Sequence, residues 1–221
     1  MRLPFTTEQF LDVFGQYNET VWPAQWLLVT LAALGIAAAL RGRPAASRVV
    51  SAVLAILWAW MGLAYHLAFF RAINPVGASL FAAFFVAQAA LLAWSGVVRG
   101  RLTFRVRHDA AGLAGAALLV YALIVYPLLG STLGHAYPEA PTFGLPCPTT
   151  IYTLGLLLWA SPRAPLTVLV IPVLWALVGT SAALQLGMGE DFGLLAGAAI
   201  TIVVHGVSVV GRHQSRADAA S

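Results

Sequence analysis

Residues 49–70 read VVSAVLAILWAWMGLAYHLAFF, bounded by Arg48 and Arg71. A bilayer core takes about 20 apolar residues in helical form, and this run has that length with no Asp, Glu, Lys or Arg. It is one of seven apolar runs, over about 22–40, 49–70, 75–98, 110–129, a shorter 149–160, 166–186 and 192–210. None contains an acidic residue or an arginine. The expected fold is therefore all-α: a polytopic transmembrane bundle of seven spans, forming a single integral membrane domain over 1–221.

Composition agrees. The chain is 60% hydrophobic and 9% charged, whereas soluble domains carry roughly 25% charged residues. All twelve basic residues counted as Lys+Arg are arginine. The missing lysine excludes a retinal Schiff base, which needs an amine. The net charge of +4 does not indicate nucleic acid, because the arginines sit in the short links between apolar runs.

That placement orients the chain. Arg41, Arg43, Arg48, Arg99, Arg101, Arg105, Arg107, Arg163, Arg212 and Arg216 fall on one side if all seven runs cross, with Arg2 and Arg71 on the other. The positive-inside rule then puts the N-terminus outside and the C-terminus in the cytoplasm. If the short fifth run dipped and returned, Arg163, Arg212 and Arg216 would change sides and the asymmetry would weaken. After Met1-Arg2 comes the polar stretch Thr6-Thr7-Glu8-Gln9, so no cleaved leader is expected. Thr6 and Gln9 fit a capping box, and Phe10, Val13, Phe14 and Tyr17 recur at helical spacing. Residues 6–17 read as an amphipathic helix, lying on the outer interface or packed on the bundle.

Residues 134–150, GHAYPEAPTFGLPCPTT, form a broken element before span five. Their prolines and glycines delay a regular helix until about Pro148, which suits the first helical position and leaves Cys147 as N-cap. A twelve-residue helix is about 18 Å long, against a hydrocarbon core of about 30 Å. The helix would then begin on the order of 12 Å below the outer boundary, and residues 143–147 would descend partly re-entrant. Such backbone is tolerated only inside protein or along an aqueous cavity. A helix start lowers a thiol's pKa and burial raises it; the two effects oppose each other at Cys147.

Polar residues gather toward the same outer side. Glu19, His66, Asn74, Gln88, His135, Tyr137, Cys147, Thr149 and Thr150 are candidates to bind a solute, with Gln88 placed deeper. Glu139, Glu190 and Asp191 read as solvated loop charges. His205 lies toward the opposite end and does not join this set. The lone cysteine excludes an intrachain disulfide, and no CxxC occurs. Gly193 and Gly197 form a GxxxG on span seven that permits close packing within the chain or a homo-oligomer.

The stretches Tyr17-Asn18-Glu19-Thr20-Val21-Trp22-Pro23, Tyr65-His66 through Ile73-Asn74-Pro75, and Gly134-His135 through Pro146-Cys147-Pro148-Thr149-Thr150 resemble an uncharacterised bacterial multi-pass membrane family, domain of unknown function 6064. The resemblance covers nearly the whole chain. It implies a bacterial inner-membrane location and no established activity.

Three functions compete. The leading one is a small-solute or ion transporter or channel, in which the broken fifth element presents a helix N-terminus to an anion or polar solute. The second is an intramembrane thiol enzyme for acyl transfer or lipid hydrolysis, with Cys147 as nucleophile and His66 or His135 as base. The third is a metal or haem site from His66, His135 and Cys147, with Glu19 as a further ligand; no cofactor is otherwise expected. A sensory or structural membrane protein is the remaining alternative, and the lipid bilayer is the one partner implied.

Overall fold

The computed structural model describes residues 3–218, with the side chains of the last helix described as far as Gly206. Arg2 lies outside the described residues, as do the side chains of Arg212 and Arg216. The described residues fold into helices joined by short links: α1 (Thr7–Val21), α2 (Ala24–Arg41), α3 (Pro44–Trp60), α4 (Pro75–Leu92), α5 (Ala110–Val120), α6 (Tyr126–Thr132), α7 (Pro146–Leu158), α8 (Leu166–Leu186) and α9 (Phe192–Asp218). Widened π-turns continue α3 over Met61–Leu67 and α4 over Ala93–Val98, and another joins α5 to α6 over Tyr121–Val125.

Five of these stretches are long and apolar enough to cross a membrane: Ala24–Arg41, Pro44–Ala72, Pro75–Val98, Ala110–Thr132 and Leu166–Leu186. Seven crossings were expected. The other two runs fall on α7, which at 13 residues is only about 20 Å long, and on α9, whose side chains are described in part. The outward faces of the long helices are apolar, with Val76, Leu113, Leu128, Leu166 and Leu184 all exposed. A water-facing surface would not carry such a belt, so the chain has the build of a membrane protein.

The short helix is the centre of the bundle. Every residue of α7 except Cys147 is buried, as expected for a helix that is apolar all round. It packs against α5, α8 and α9. Gly115 of α5 and Gly155 of α7 let the two backbones touch: a Cβ on Gly115 would stand 2.7 Å from the Gly155 carbonyl, and one on Gly155 would stand 3.0 Å from the Gly115 carbonyl. Small residues serve membrane-type packing in this way. The GxxxG of α9 is used within the chain too. A Cβ on Gly193 would run into the Tyr121 ring, and Gly197 faces Leu118 and Leu154.

The arginine-rich link between α4 and α5 folds back on the C-terminal end of α7. Phe104 pairs with Ala160, Arg105 N–H donates to the Trp159 carbonyl at 3.1 Å, and Phe104 N–H donates to Ser47 Oγ at 2.9 Å. Asp109 caps α5 by accepting from Gly112 N–H at 2.9 Å. Its carboxyl is held down at about 2, first by its hydrogen bond to the Arg107 side chain.

The opposite end is organised by α1. The expected capping box is present, with Thr6 and Gln9 bonded reciprocally. The helix runs to Val21 and buries Val13, Phe14, Tyr17 and Asn18 against the bundle. Tyr17 accepts a hydrogen bond from Trp60 Nε1 at 2.7 Å, and its burial pushes the phenol up to about 12. Asn18 latches the broken element: its Nδ2 donates to the carbonyls of Pro138 (2.6 Å) and Ala140 (2.8 Å), and its Oδ1 accepts from Thr142 (2.6 Å).

Candidate functional site

Residues 134–145 remain non-helical, as their prolines and glycines require, and the chain around Leu145 is buried. The start of α7 differs from expectation by two residues. Leu145 is the N-cap and Pro146 the first helical residue, so Cys147 lies inside the first turn rather than at the cap. Pro146 suits the first position as well as Pro148 does. Gly144 precedes the cap at φ +101, a conformation that favours glycine, and donates to Thr149 Oγ1 at 3.1 Å.

A cavity of about 120 Å³ opens beneath α1. His66, Asn74 and Cys147 all line it, together with Trp175 of α8 and Asp191. Its remaining wall is mostly apolar: Phe5, Phe10 and Phe14 from the N-terminal side, Phe70 from the 3₁₀ turn before α4, Phe81 from α4, and small residues of α8. Three of the nine candidates therefore converge. Asn74 also has a structural task, since its side chain caps α4 by accepting from Gly77 N–H at 2.9 Å.

The other candidates lie elsewhere. Glu19 is exposed. Gln88 is buried and donates to the Val168 carbonyl at 2.9 Å, tying α4 to the start of α8. Tyr137 is exposed and borders a separate groove beside Trp22 and Trp26. Thr149 serves the Gly144 turn, and Thr150 is buried in α7 with its hydroxyl unpartnered. His135 pairs with Glu190, Nδ1 to Oε1 at 2.7 Å.

Glu190 and Asp191 were expected as solvated loop charges. The structure buries both, at 0% and 4% exposure. A 3₁₀ turn at Gly189–Asp191 tucks them under the end of α6. Burying carboxylates requires partners: His135 meets Glu190 Oε1 while Glu190 Oε2 has none among the described residues, and two tyrosines of an apolar run reach the turn backbone and Asp191. Tyr121 O–H donates to the Glu190 carbonyl at 2.7 Å, and Tyr126 O–H donates to Asp191 Oδ1 at 2.5 Å. Gly130 leaves room, since a Cβ there would approach Glu190 Oε1 to 3.3 Å. The Cys147 thiol lies beside the Asp191 carboxylate. Burial raises the Asp191 carboxyl to about 7, while the Tyr126 hydroxyl and the Cys147 thiol pull the other way. The signal missed in the sequence was two tyrosines, Tyr121 and Tyr126, within an otherwise apolar stretch.

His66 is the opposite case. It is 1% exposed, and neither ring nitrogen has a hydrogen-bond partner. Trp175 Nε1, on the same cavity, is also buried without one.

This geometry bears on the competing chemistries. A thiol nucleophile needs its base within hydrogen-bond reach. Here the thiol faces a carboxylate, His66 bonds to nothing, and His135 is held by Glu190. Among the described residues, no three His, Cys, Asp or Glu side chains are grouped to hold a metal ion. The first turn of α7, expected to receive an anionic solute, already has the Asp191 carboxylate beside it. What the arrangement can do is enclose a compact, largely apolar molecule and address it with a carboxylate, an imidazole and an indole N–H.

The chain matches a family of unknown function (DUF6064) over residues 7–216 and belongs to that family. No curated protein and no solved structure matches it.

Proposed function

We propose that the chain is a small-solute transporter or channel component of a bacterial inner membrane, with its solute site in the cavity beneath α1. In this reading the five long helices cross the bilayer. The broken element with α7 forms one further crossing, and α9 forms another. The arginine-rich end faces the cytoplasm and α1 faces outward. The clustering of Arg41, Arg43, Arg48, Arg99, Arg101, Arg105, Arg107 and Arg163 in the links at one end, against Arg71 at the other, supports this orientation.

One observation carries the solute site: polar groups on three separate elements, the buried His66 and Asp191 and the partly buried Cys147, line a single cavity in an otherwise apolar bundle. Polar groups inside membrane segments are costly and mark solute pathways. The test is flux into proteoliposomes of purified protein, using a panel of small amines, alcohols, carboxylates and inorganic ions. Uptake above protein-free vesicles is expected for at least one member, and Ala182→Trp, which fills the cavity wall, should abolish it. No flux above protein-free vesicles for any member would contradict the reading.

A further inference from the structure

The His66 ring stands among aromatic rings, with centroids 4.7 Å from Phe85, 5.4 Å from Trp175 and 5.5 Å from Phe81. A neutral imidazole has one N–H and one lone pair. An aromatic face can take the N–H. It cannot satisfy the lone pair, because the ring face is itself negative. The accepting nitrogen of His66 therefore calls for a donor, and among the described residues none supplies it.

Asp191 lines the same cavity and has no cation in ion-pair contact among the described residues. Tyr126 and Cys147 meet it as neutral donors, and the nearby His135 is held by Glu190. The same lining includes Phe81 and Trp175, and aromatic rings of this kind attract organic cations. A donor, a positive charge and a hydrocarbon body are thus requested together. A hydrated metal ion would lack the hydrocarbon, and an anion would oppose the carboxylate.

We propose that the cavity beneath α1 binds a small organic ammonium ion, directing an N–H to the lone pair of His66 and its charge toward Asp191. This rests on the reading of that cavity as the solute site and names its substrate class. The volume of about 120 Å³ sets the size: a dry cavity of about 150 Å³ admits benzene, so an amine of about four carbons fits. The ligand must carry an N–H, which excludes quaternary ammonium.

The test is isothermal titration of the full chain in nanodiscs, near neutral pH, with isobutylamine, isobutanol, isobutyrate and tetramethylammonium. Isobutylamine should bind saturably and about ten-fold tighter than isobutanol, a difference of about 1.4 kcal/mol. Isobutyrate and tetramethylammonium should bind more weakly than the alcohol. Asp191→Asn should bring the amine down to the level of the alcohol, while His66→Phe should weaken both. The wild-type ranking stands without any variant folding. An amine that binds no better than the alcohol, or no binding by any of the four, overturns the proposal. Amine binding without amine flux would defeat the transport reading alone. Flux of another solute without amine binding would defeat this inference alone.

Discussion

The crossing of α5, α7 and α9 and the cavity beneath α1 treat the same residue types in opposite ways. At the crossing and around it, backbones touch through Gly115 and Gly155 and the large polar side chains are bonded. Trp159 Nε1 donates to the Gly112 carbonyl at 2.9 Å, Trp58 Nε1 to Thr153 Oγ1 at 3.0 Å, and Tyr152 O–H to the Ala32 carbonyl at 2.8 Å. At the cavity, Trp175 Nε1 and both nitrogens of His66 are buried with no partner. Thr150 Oγ1 in α7 is unpartnered too, but a fold able to satisfy its other buried indoles leaves a whole imidazole and an indole N–H open where there is also empty volume. Such groups cost about 1–3 kcal/mol each when left unmade, and the contrast separates a region built to pack from a region built to receive.

The largest effect should come from breaking the packed region. Gly115→Leu forces a side chain into the Gly155 carbonyl and the Trp159 ring. Overpacking costs about 1–3 kcal/mol and more where backbone must move. The expected outcome is loss of the monodisperse folded peak in detergent gel filtration; a wild-type profile would mean the crossing is looser than described.

Next comes the buried carboxyl. The folded Asp191 sits at about 7, raised from 3.8 by burial. Its contribution to stability is therefore complete at acid pH and is lost as pH rises from about 4 through about 7. Across that window wild type should lose stability relative to Asp191→Asn, on the order of a few kcal/mol, read as a falling melting temperature. Glu190, His135, Tyr126 and Cys147 face the same group, so parallel pH curves for the two proteins would show that these neighbours neutralise the effect.

A smaller effect sharpens the contrast. His66→Phe removes an unsatisfied group and keeps the ring, so the ligand-free protein should gain about 1–2 kcal/mol while losing affinity for isobutylamine. A destabilised variant would reveal a partner for the imidazole within the fold. The smallest expected change is Thr6→Ala. It deletes the capping box of α1 and should cost about 1 kcal/mol in thermal unfolding.

The helices were readable from sequence, the crossing of α5, α7 and α9 was not, and the receiving region was readable only in part. Charge-free runs such as 49–70 announce helices because a membrane admits little else, and the prolines of 134–148 announce the break. Pro146 and Pro148 fit a first turn almost equally well, so the helix start moved by two residues. The π-turns at Met61–Leu67 and Tyr121–Val125 leave no composition signal. The burial of Asp191 depends on Tyr126, 65 residues away in sequence, and that of Glu190 on the space left at Gly130. Nothing local distinguishes such an acid from a solvated loop charge. His66 and Cys147 stood out as polar groups near apolar runs, yet their partners, a set of aromatic faces and a carboxylate, are defined only by tertiary packing.

The most direct measurement is the ¹⁵N spectrum of the His66 imidazole, assigned by comparison with His66→Phe, with and without isobutylamine. The lone-pair nitrogen should resonate as a free acceptor in the ligand-free protein and shift toward the hydrogen-bonded position as amine is added, saturating with the calorimetric curve. A His66 signal already hydrogen-bonded without ligand, or unmoved by saturating amine, would contradict a receiving site beneath α1.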